Sequence, residues 1–98
     1  MKPRLIIRPE AEAELAEAFD WYERRVPGLG ADFLAAVDAA LDSVLSHPLQ
    51  HPVVYRTVRR ALTRRFPYQV LFVVEEDTIV VIAIFHGARD PRTWQDRL

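Results

Sequence analysis

The chain has no cysteine, and only three of its 98 residues are glycine. Without cysteine there are no disulfides, thiolate metal sites or cysteine nucleophiles, and the composition is compatible with a reducing compartment. So few glycines exclude a glycine-rich phosphate loop. Ser43 and Ser46 have no base close to them in the sequence, so a nucleophilic serine is not indicated either.

Long apolar runs are also lacking. The longest, Val70–Val74 and Ile79–Phe85, fall far short of the roughly 20 residues that a membrane-spanning helix needs. Near the N-terminus, the apolar run at residues 5–7 is too short for the core of a signal peptide. We therefore expect a cytoplasmic protein with no membrane partner. The length suits one small domain, so we expect a single domain over residues 1–98.

Charge is divided unevenly along the chain, although the net charge is −1. Residues 10–42 hold nine acidic and two basic side chains, whereas residues 55–70 hold five arginines and no acid. A local basic strip allows contact with phosphates or with an acidic partner. Solvated arginines on an edge strand also prevent edge-to-edge pairing, which is a purely structural explanation. The strip consists of Arg56, Arg59, Arg60, Arg64 and Arg65.

Hydrophobic periodicity predicts two helices after a short first strand at residues 5–7. Pro9 suits the first turn of a helix, where its missing N–H has no cost. Apolar residues at helical spacing extend from there to Arg24 and Arg25, and residues 27–30 break the helix. A second helix is expected from about Ala31 to Ser46, and Pro48 ends it. The link between the two helices is short, which implies an antiparallel helical hairpin.

Three strands are expected in the second half, at Val54–Leu62, Tyr68–Val74 and Thr78–Phe85, with a hairpin turn at residues 75–77. The last two strands are apolar on both faces. This pattern is typical of central strands that other parts of the chain cover on both sides. A last helical turn is expected after Pro91. The order β-α-α-β-β-β predicts an α+β fold, a mostly antiparallel sheet packed against the helical hairpin.

The tail at residues 86–94 is a candidate site because it follows the most hydrophobic strand directly. His86 and Arg89 offer a proton-transfer group and a phosphate clamp. The structural alternative is that Arg89 pairs with Asp90 or with an acid on the first helix, while Trp94 caps the core.

Four of the acids on the first helix are spaced so that we expect them along one exposed face. A metal site there is not indicated, because no helix has histidine and carboxylate in ligand spacing. His47 and His51 are expected to be loop residues, and nothing in the sequence indicates a cofactor. The four acids are Glu10, Glu14, Glu17 and Asp20.

Several of these features together resemble the RelE/ParE superfamily of bacterial toxins from type II toxin–antitoxin systems, over almost the whole chain. The resemblance implies a growth-inhibiting toxin in a hetero-oligomer with a small antitoxin. That antitoxin would cover apolar surface that two helices leave exposed. The features are the element order, Ala11-x-x-x-Leu15, Trp21-Tyr22, the Pro48 stop, Arg65-Phe66-Pro67-Tyr68 and His86-Gly87-x-Arg89-Asp90-Pro91-x-x-Trp94.

The superfamily has two branches with different chemistry. The resemblance implies that RelE-like members cut messenger RNA on the ribosome, whereas ParE-like members poison DNA gyrase. Where the nuclease branch has an arginine, a basic pair and a tyrosine, this chain has Gln69, a single Arg89 preceded by Ala88, and Trp94. Losing such groups weakens a nuclease, because each stabilises charge or moves a proton in the transition state. We therefore expect a ParE-like member that is not an enzyme.

Two alternatives stay open: a ribosome-dependent ribonuclease and a non-toxic member that only binds antitoxin. For the ribonuclease, the expected phosphate-binding set is Arg59, Arg60, Arg65 and Arg89. For contact with gyrase or another partner, the expected residues are Arg56, Arg59, Arg60, Arg64, Arg65, His86, Arg89 and Trp94.

Overall fold

A computed structural model describes residues 3–98. Its element order confirms the predicted succession of one strand, two helices and a group of strands. The elements are β1 (Arg4–Ile7), α1 (Pro9–Arg25), α2 (Leu29–Ser46), a short 3-10 helix (Pro48–Gln50), β2 (Val53–Tyr55), β3 (Val58–Leu62), β4 (Tyr68–Glu75), β5 (Thr78–His86) and α3 (Arg92–Gln95).

The single strand expected at Val54–Leu62 was wrong, because the chain turns back on itself within it. Arg56 has φ of 51°, in the left-handed region that a continuous strand does not use. The turn separates β2 from β3, and the two strands pair with each other in antiparallel fashion with a shifted register at Tyr55. Neither glycine nor asparagine marks this turn, so no turn was predicted there.

The five strands form one sheet in the order β1-β5-β4-β3-β2. β1 is parallel to β5 and the other neighbours are antiparallel, which confirms the mostly antiparallel sheet. β4 and β5 pair along their whole length. Within that pair Leu71 lies opposite Ala83 and Phe72 opposite Val81, so Ile82 is an extra residue and forms a β-bulge.

Gly28 and Gly30 shape the junction between the two helices. Gly28 has φ of 90° and precedes α2, which begins at Leu29, two residues before the position expected. A Cβ atom on Gly30 would lie 2.8 Å from the ring of Phe19, so only glycine allows α1 and α2 to approach this closely. The Glu23 carboxylate accepts hydrogen bonds from the backbone N–H groups of both glycines, at 2.9 and 3.0 Å, and so satisfies free donors at the start of α2.

The sheet has a core on each face, which confirms that the two central strands are covered on both sides. The helices cover one face, where Phe33, Val44 and Phe72 are fully buried. On the other face Trp94 of α3 and Tyr55 of β2 pack over the central strands. The chain itself therefore covers the apolar face that the resemblance left for an antitoxin. No helix between residues 3 and 98 is long and apolar enough to cross a membrane.

Candidate partner-binding site

The C-terminal half of β5 forms an open edge of the sheet. β1 ends at Ile7, opposite Val81, but β5 continues to His86. Just beyond the strand, the N–H of Gly87 donates to the carbonyl oxygen of Pro67 at 2.8 Å. The backbone N–H and C=O groups of the odd-numbered residues at this end of β5 therefore point toward β4. Because backbone groups alternate in direction along a strand, those of Ile82, Ile84 and His86 point away from β4.

A partly buried ion pair satisfies part of this edge. Glu14 of α1 accepts a hydrogen bond from the N–H of Ile84 at 3.1 Å, and Arg97 donates to the carbonyl oxygen of Ile82 at 3.0 Å. Arg97 also binds Glu14 through both of its terminal nitrogens, at 2.8 and 3.1 Å. The expectation that Glu14 lies on an exposed face was wrong, because its side chain is 11% exposed and that of Arg97 is 15% exposed. The hydrogen bonds to Glu14 raise the pKa of Arg97.

Beside the open edge lies a groove of about 600 Å³, which we call the edge groove. One wall belongs to α1 and the other to the ends of β4 and β5, with the first residues of the tail. Its surface is mainly apolar and aromatic, with a few polar groups, as in sites that bind ligands or peptide segments. Its lining includes Trp21, Tyr22, Tyr68, Ile84, His86 and Arg89, together with Glu14, Glu17, Ala18, Pro67 and Ala88.

Aromatic rings form the floor and one wall of the edge groove. Trp21 is 53% exposed, yet the guanidinium of Arg25 lies 4.3 Å from its ring and Tyr22 packs edge-on at 5.1 Å. Tyr22 in turn packs against Tyr68, at 6.2 Å between ring centres. Burial raises the pKa of both tyrosines above the usual value, so their hydroxyls stay protonated at neutral pH.

His86 and Arg89 lie at the other end of the edge groove. The ring of His86 packs against Tyr68 at 5.2 Å. Its Nδ1 accepts a hydrogen bond from the N–H of Ala88 at 3.0 Å, so a neutral His86 carries its proton on Nε2. The guanidinium of Arg89 lies 5.1 Å from the ring of Phe85. Within residues 3–98, no carboxylate lies within ion-pair distance of Arg89.

The structural alternative for the tail was wrong about Arg89 and right about Trp94. Asp90 pairs with Arg92 at 2.7 Å, and that guanidinium holds the pKa of the Asp90 carboxyl below its usual range. The acid on the first helix pairs with Arg97 instead. Trp94 is 3% exposed and packs edge-on against Tyr55 at 5.7 Å, so this predicted contact residue belongs to the core.

The arginines of the basic strip do not form one surface. Arg59 and Arg60 are neighbours in β3 and therefore point to opposite faces of the sheet. Arg59 donates to the carbonyl oxygens of His51 and Leu49, at 2.7 and 3.2 Å, and so holds the loop after α2. Arg60 is half-buried, and its Nε is buried without a partner among residues 3–98. The four arginines expected to bind a scissile phosphate thus do not converge.

Arg64 and Arg65 are exposed and lie in the loop between β3 and β4. Both line a second cleft, of about 510 Å³, between α2 and β3, whose helical wall is made mainly of alanines. Arg65 has φ of 70°, and its guanidinium lies 5.6 Å from the ring of Phe66. Arg56 is exposed at the turn between β2 and β3, with its guanidinium 5.1 Å from the ring of Tyr55.

A third cleft brings together two of the three positions where the nuclease branch has a charged group or a hydroxyl. Gln69, Ala88 and His86 line it, and Arg60 is the only lysine or arginine among its lining residues. The side chain of Trp94 does not line this cleft and lies in the core. The cleft therefore offers one cation and one imidazole to a bound phosphate.

Reasoning from the sequence missed the residues that distinguish the edge groove. Glu14 and Arg97 are 83 positions apart, and no local pattern connects them. Trp21 was noted as a motif residue, but its sequence position did not indicate that it would lie exposed beside the groove. One signal was available, since a short first strand beside a nine-residue last strand leaves part of the longer strand uncovered.

Solved structures of toxin–antitoxin proteins share this fold. One is described as a chromosomal ParDE toxin–antitoxin system from P. aeruginosa, with a TM-score of 0.76 and 19% identity, over 87% of this chain and 96% of that one. Another is described as the toxin–antitoxin complex RelBE2 from Mycobacterium tuberculosis, with a TM-score of 0.60 and 18% identity, over 88% and 99% of the two chains. No curated protein sequence matches significantly.

The family follows from the sequence of the chain as a whole. The model of the ParE toxin of the type II toxin–antitoxin system parDE matches residues 5–91. The chain therefore belongs to the ParE toxin family, the branch that the resemblance had favoured.

Proposed function

We propose that this chain is a growth-inhibiting toxin that acts on DNA gyrase and is neutralised by a cognate antitoxin. The observation that carries the proposal is the match to the ParE toxin family over residues 5–91. The two similar structures are described as toxin–antitoxin systems, which supports a protein partner and a hetero-oligomer for this chain as well.

The third cleft argues against cleavage of messenger RNA. Cleaving RNA requires cations against the developing charge on the phosphate and a group that moves a proton. Gln69 and Ala88 supply neither, so the cleft offers Arg60 as the one cation in its lining and the His86 imidazole as a group that can move a proton. Since each missing group of this kind costs roughly 2–4 kcal/mol in the transition state, RNA cleavage at this cleft would be slow.

The test is induction of the chain alone in a bacterium, followed by parallel measurement of chromosomal breaks and of messenger RNA integrity. We expect growth to stop and DNA breaks to accumulate while messenger RNA stays intact. Coexpression of the cognate antitoxin that the proposal requires should restore growth. A chain with a stop codon in α1 is the control for the burden of expression.

Two outcomes would replace the proposal. Cleaved messenger RNA with intact chromosomal DNA would identify a ribosome-dependent ribonuclease, with Arg59, Arg60, Arg65 and Arg89 as its first candidates. Normal growth, with tight binding of the neighbouring protein, would identify a non-toxic member that keeps only antitoxin binding.

A further inference from the structure

The second cleft, between α2 and β3, combines polar side chains with an apolar middle. Arg64, Arg65, Ser43 and His51 all line it, and alanines of α2 and the end of β3 form the surface between them. Its volume of about 510 Å³ is typical of sites that bind small molecules. None of its lining residues belongs to the edge groove, so the two sites are separate.

Arg64 and Arg65 are neighbours in the chain, yet both line the second cleft. Neighbouring side chains of an extended chain point to opposite sides. Arg65 has φ of 70°, so the chain leaves the extended conformation at this position. The loop is held by buried Thr63, whose hydroxyl lies 2.9 Å from the carbonyl oxygens of both Phe66 and Tyr68. A fixed loop therefore presents two guanidinium groups to one cleft.

Ser43 and His51 form a hydrogen-bonded pair in the same cleft, although eight positions separate them in the chain. The Oγ of Ser43 lies 3.2 Å from the Nε2 of His51. His51 is held by two further contacts. Its carbonyl oxygen accepts from Arg59 at 2.7 Å, and its ring packs edge-on against Phe72 at 5.7 Å. The pair therefore offers a hydroxyl and an imidazole in a fixed position, and these can both donate and accept hydrogen bonds.

The two arginines and the Ser43–His51 pair lie toward opposite ends of the cleft. Phe66, the residue after Arg65, packs against Phe33 near the start of α2, with 5.4 Å between ring centres. Ser43 is ten positions further along the same helix, which corresponds to about 15 Å at the rise of an α-helix. A ligand that contacts both ends therefore needs an elongated body.

Charge determines which end of such a ligand binds where. Within residues 3–98, no carboxylate lies within ion-pair distance of Arg64 or Arg65. Asp32 also lines the cleft, and its single negative charge is outnumbered by the two arginines. Guanidinium groups match the geometry of phosphate oxygens and bind them through charge-assisted hydrogen bonds. The arginine end therefore favours a phosphate group, and the Ser43–His51 end favours a neutral polar group.

We infer that the second cleft binds a small phosphate monoester with an elongated, flat apolar body. Arg64 and Arg65 bind the phosphate, and the alanines of α2 contact the body. The Ser43–His51 pair forms a hydrogen bond with a neutral polar group at the far end of the ligand. This site does not depend on the proposed toxin function.

The test titrates the whole chain with 4-methylumbelliferyl phosphate, a flat aromatic phosphate monoester whose ring carbonyl lies at the far end from the phosphate. Backbone amide shifts in NMR spectra report where the compound binds. We expect a Kd of about 1 mM or below, with the largest shifts at Ala61, Arg64 and Arg65. The parent compound 4-methylumbelliferone lacks the phosphate and should bind about tenfold more weakly.

Variants at the arginine end test the phosphate contact. Arg64→Gln and Arg65→Gln should each weaken binding of the phosphate ester about tenfold, because each removes charge-assisted hydrogen bonds. Arg56→Gln is the matched control, since Arg56 is exposed and does not line the cleft. Its affinity should stay within about twofold of the unaltered chain.

A variant at the other end tests the orientation of the ligand. Ser43→Ala should weaken binding of 4-methylumbelliferyl phosphate about threefold, because the ring carbonyl loses a hydrogen bond. The same variant should bind 2-naphthyl phosphate, which has no carbonyl, within about twofold of the unaltered chain.

No saturable binding, amide shifts confined to the edge groove, or equal binding of 4-methylumbelliferone and its phosphate would each overturn the proposal. Unchanged affinity in both Arg64→Gln and Arg65→Gln would overturn it as well. An equal loss for the two esters in Ser43→Ala would overturn the orientation, because Ser43 would then shape the cleft without contacting the far end of the ligand.

Discussion

The arginines of residues 55–70 and those of the tail, followed here to residue 98, differ in what surrounds them. In the tail, Arg92 pairs with Asp90 and Arg97 with Glu14. In the stretch from residue 55 to 70 there is no acid, and within residues 3–98 none of its arginines forms an ion pair. Arg59 instead binds backbone carbonyls. The density of arginine in a sequence therefore does not by itself locate one surface, because the arginines of this stretch lie in different surroundings.

The largest expected effect concerns Arg97, the tail arginine with the most buried ion pair. Arg97→Ala removes three hydrogen bonds and leaves the Glu14 carboxylate with the N–H of Ile84 alone. Removing one partner of a partly buried pair leaves a carboxylate that water only partly reaches, so we expect the free energy of unfolding to fall by about 2 kcal/mol. Chemical denaturation measures it. A loss no greater than that for Arg92→Ala would contradict the distinction between the two tail pairs.

Arg59 comes next, as the member of the β3 group with a structural role. Arg59→Ala leaves the carbonyl oxygens of Leu49 and His51 without their donor, at an expected cost of about 1–3 kcal/mol in unfolding free energy. Arg64→Ala is the matched control, because its side chain is exposed and unpaired within residues 3–98. If the two variants unfold at the same denaturant concentration, the arginines of residues 55–70 are more alike than their contacts indicate.

Arg64 and Arg65 lie exposed in the loop between β3 and β4, and we expect both to contact the target. Replacing both with glutamate should raise the toxin concentration needed for growth arrest by about tenfold, since charge reversal opposes association with an acidic surface. Arg92→Glu reverses the charge of another exposed arginine and serves as the control. Equal loss of toxicity in both would indicate a general charge effect rather than a local contact.

The smallest effect is expected at the exposed pair of Arg92 and Asp90. Arg92→Ala should leave the melting temperature unchanged, because solvent screens an exposed pair. It should raise the pKa of Asp90 toward the usual range, because hydrogen bonds from Arg92 lower that pKa. With a lowered pKa, the contribution of the pair is present at neutral pH and lost as the pH falls through the folded-state pKa. A carboxyl titration followed by NMR tests this; an unchanged midpoint would contradict it.

Much of the fold could be predicted because its signals are local. Pro9, Gly28 and Pro48 mark helix boundaries, and apolar spacing separates helices from strands. The turn at Arg56 could not be predicted, since its left-handed backbone is imposed by the pairing of β2 with β3.

The candidate site was predicted less well, because it depends on contacts between distant parts of the chain. His86 and Arg89 were expected from their place after the last strand, and both line the edge groove. Strand alternation alone could have separated Arg59 from Arg60. Trp21 and the Glu14–Arg97 pair enter the site only through the packing of α1 and the tail on β5, which no sequence pattern records.

The most direct measurement of the proposed function combines the purified chain with DNA gyrase and supercoiled plasmid, beside a translating extract that contains messenger RNA. We expect the chain to trap gyrase on cleaved, linear plasmid and to leave the messenger RNA whole. An unaffected gyrase reaction together with cleaved messenger RNA would contradict the account.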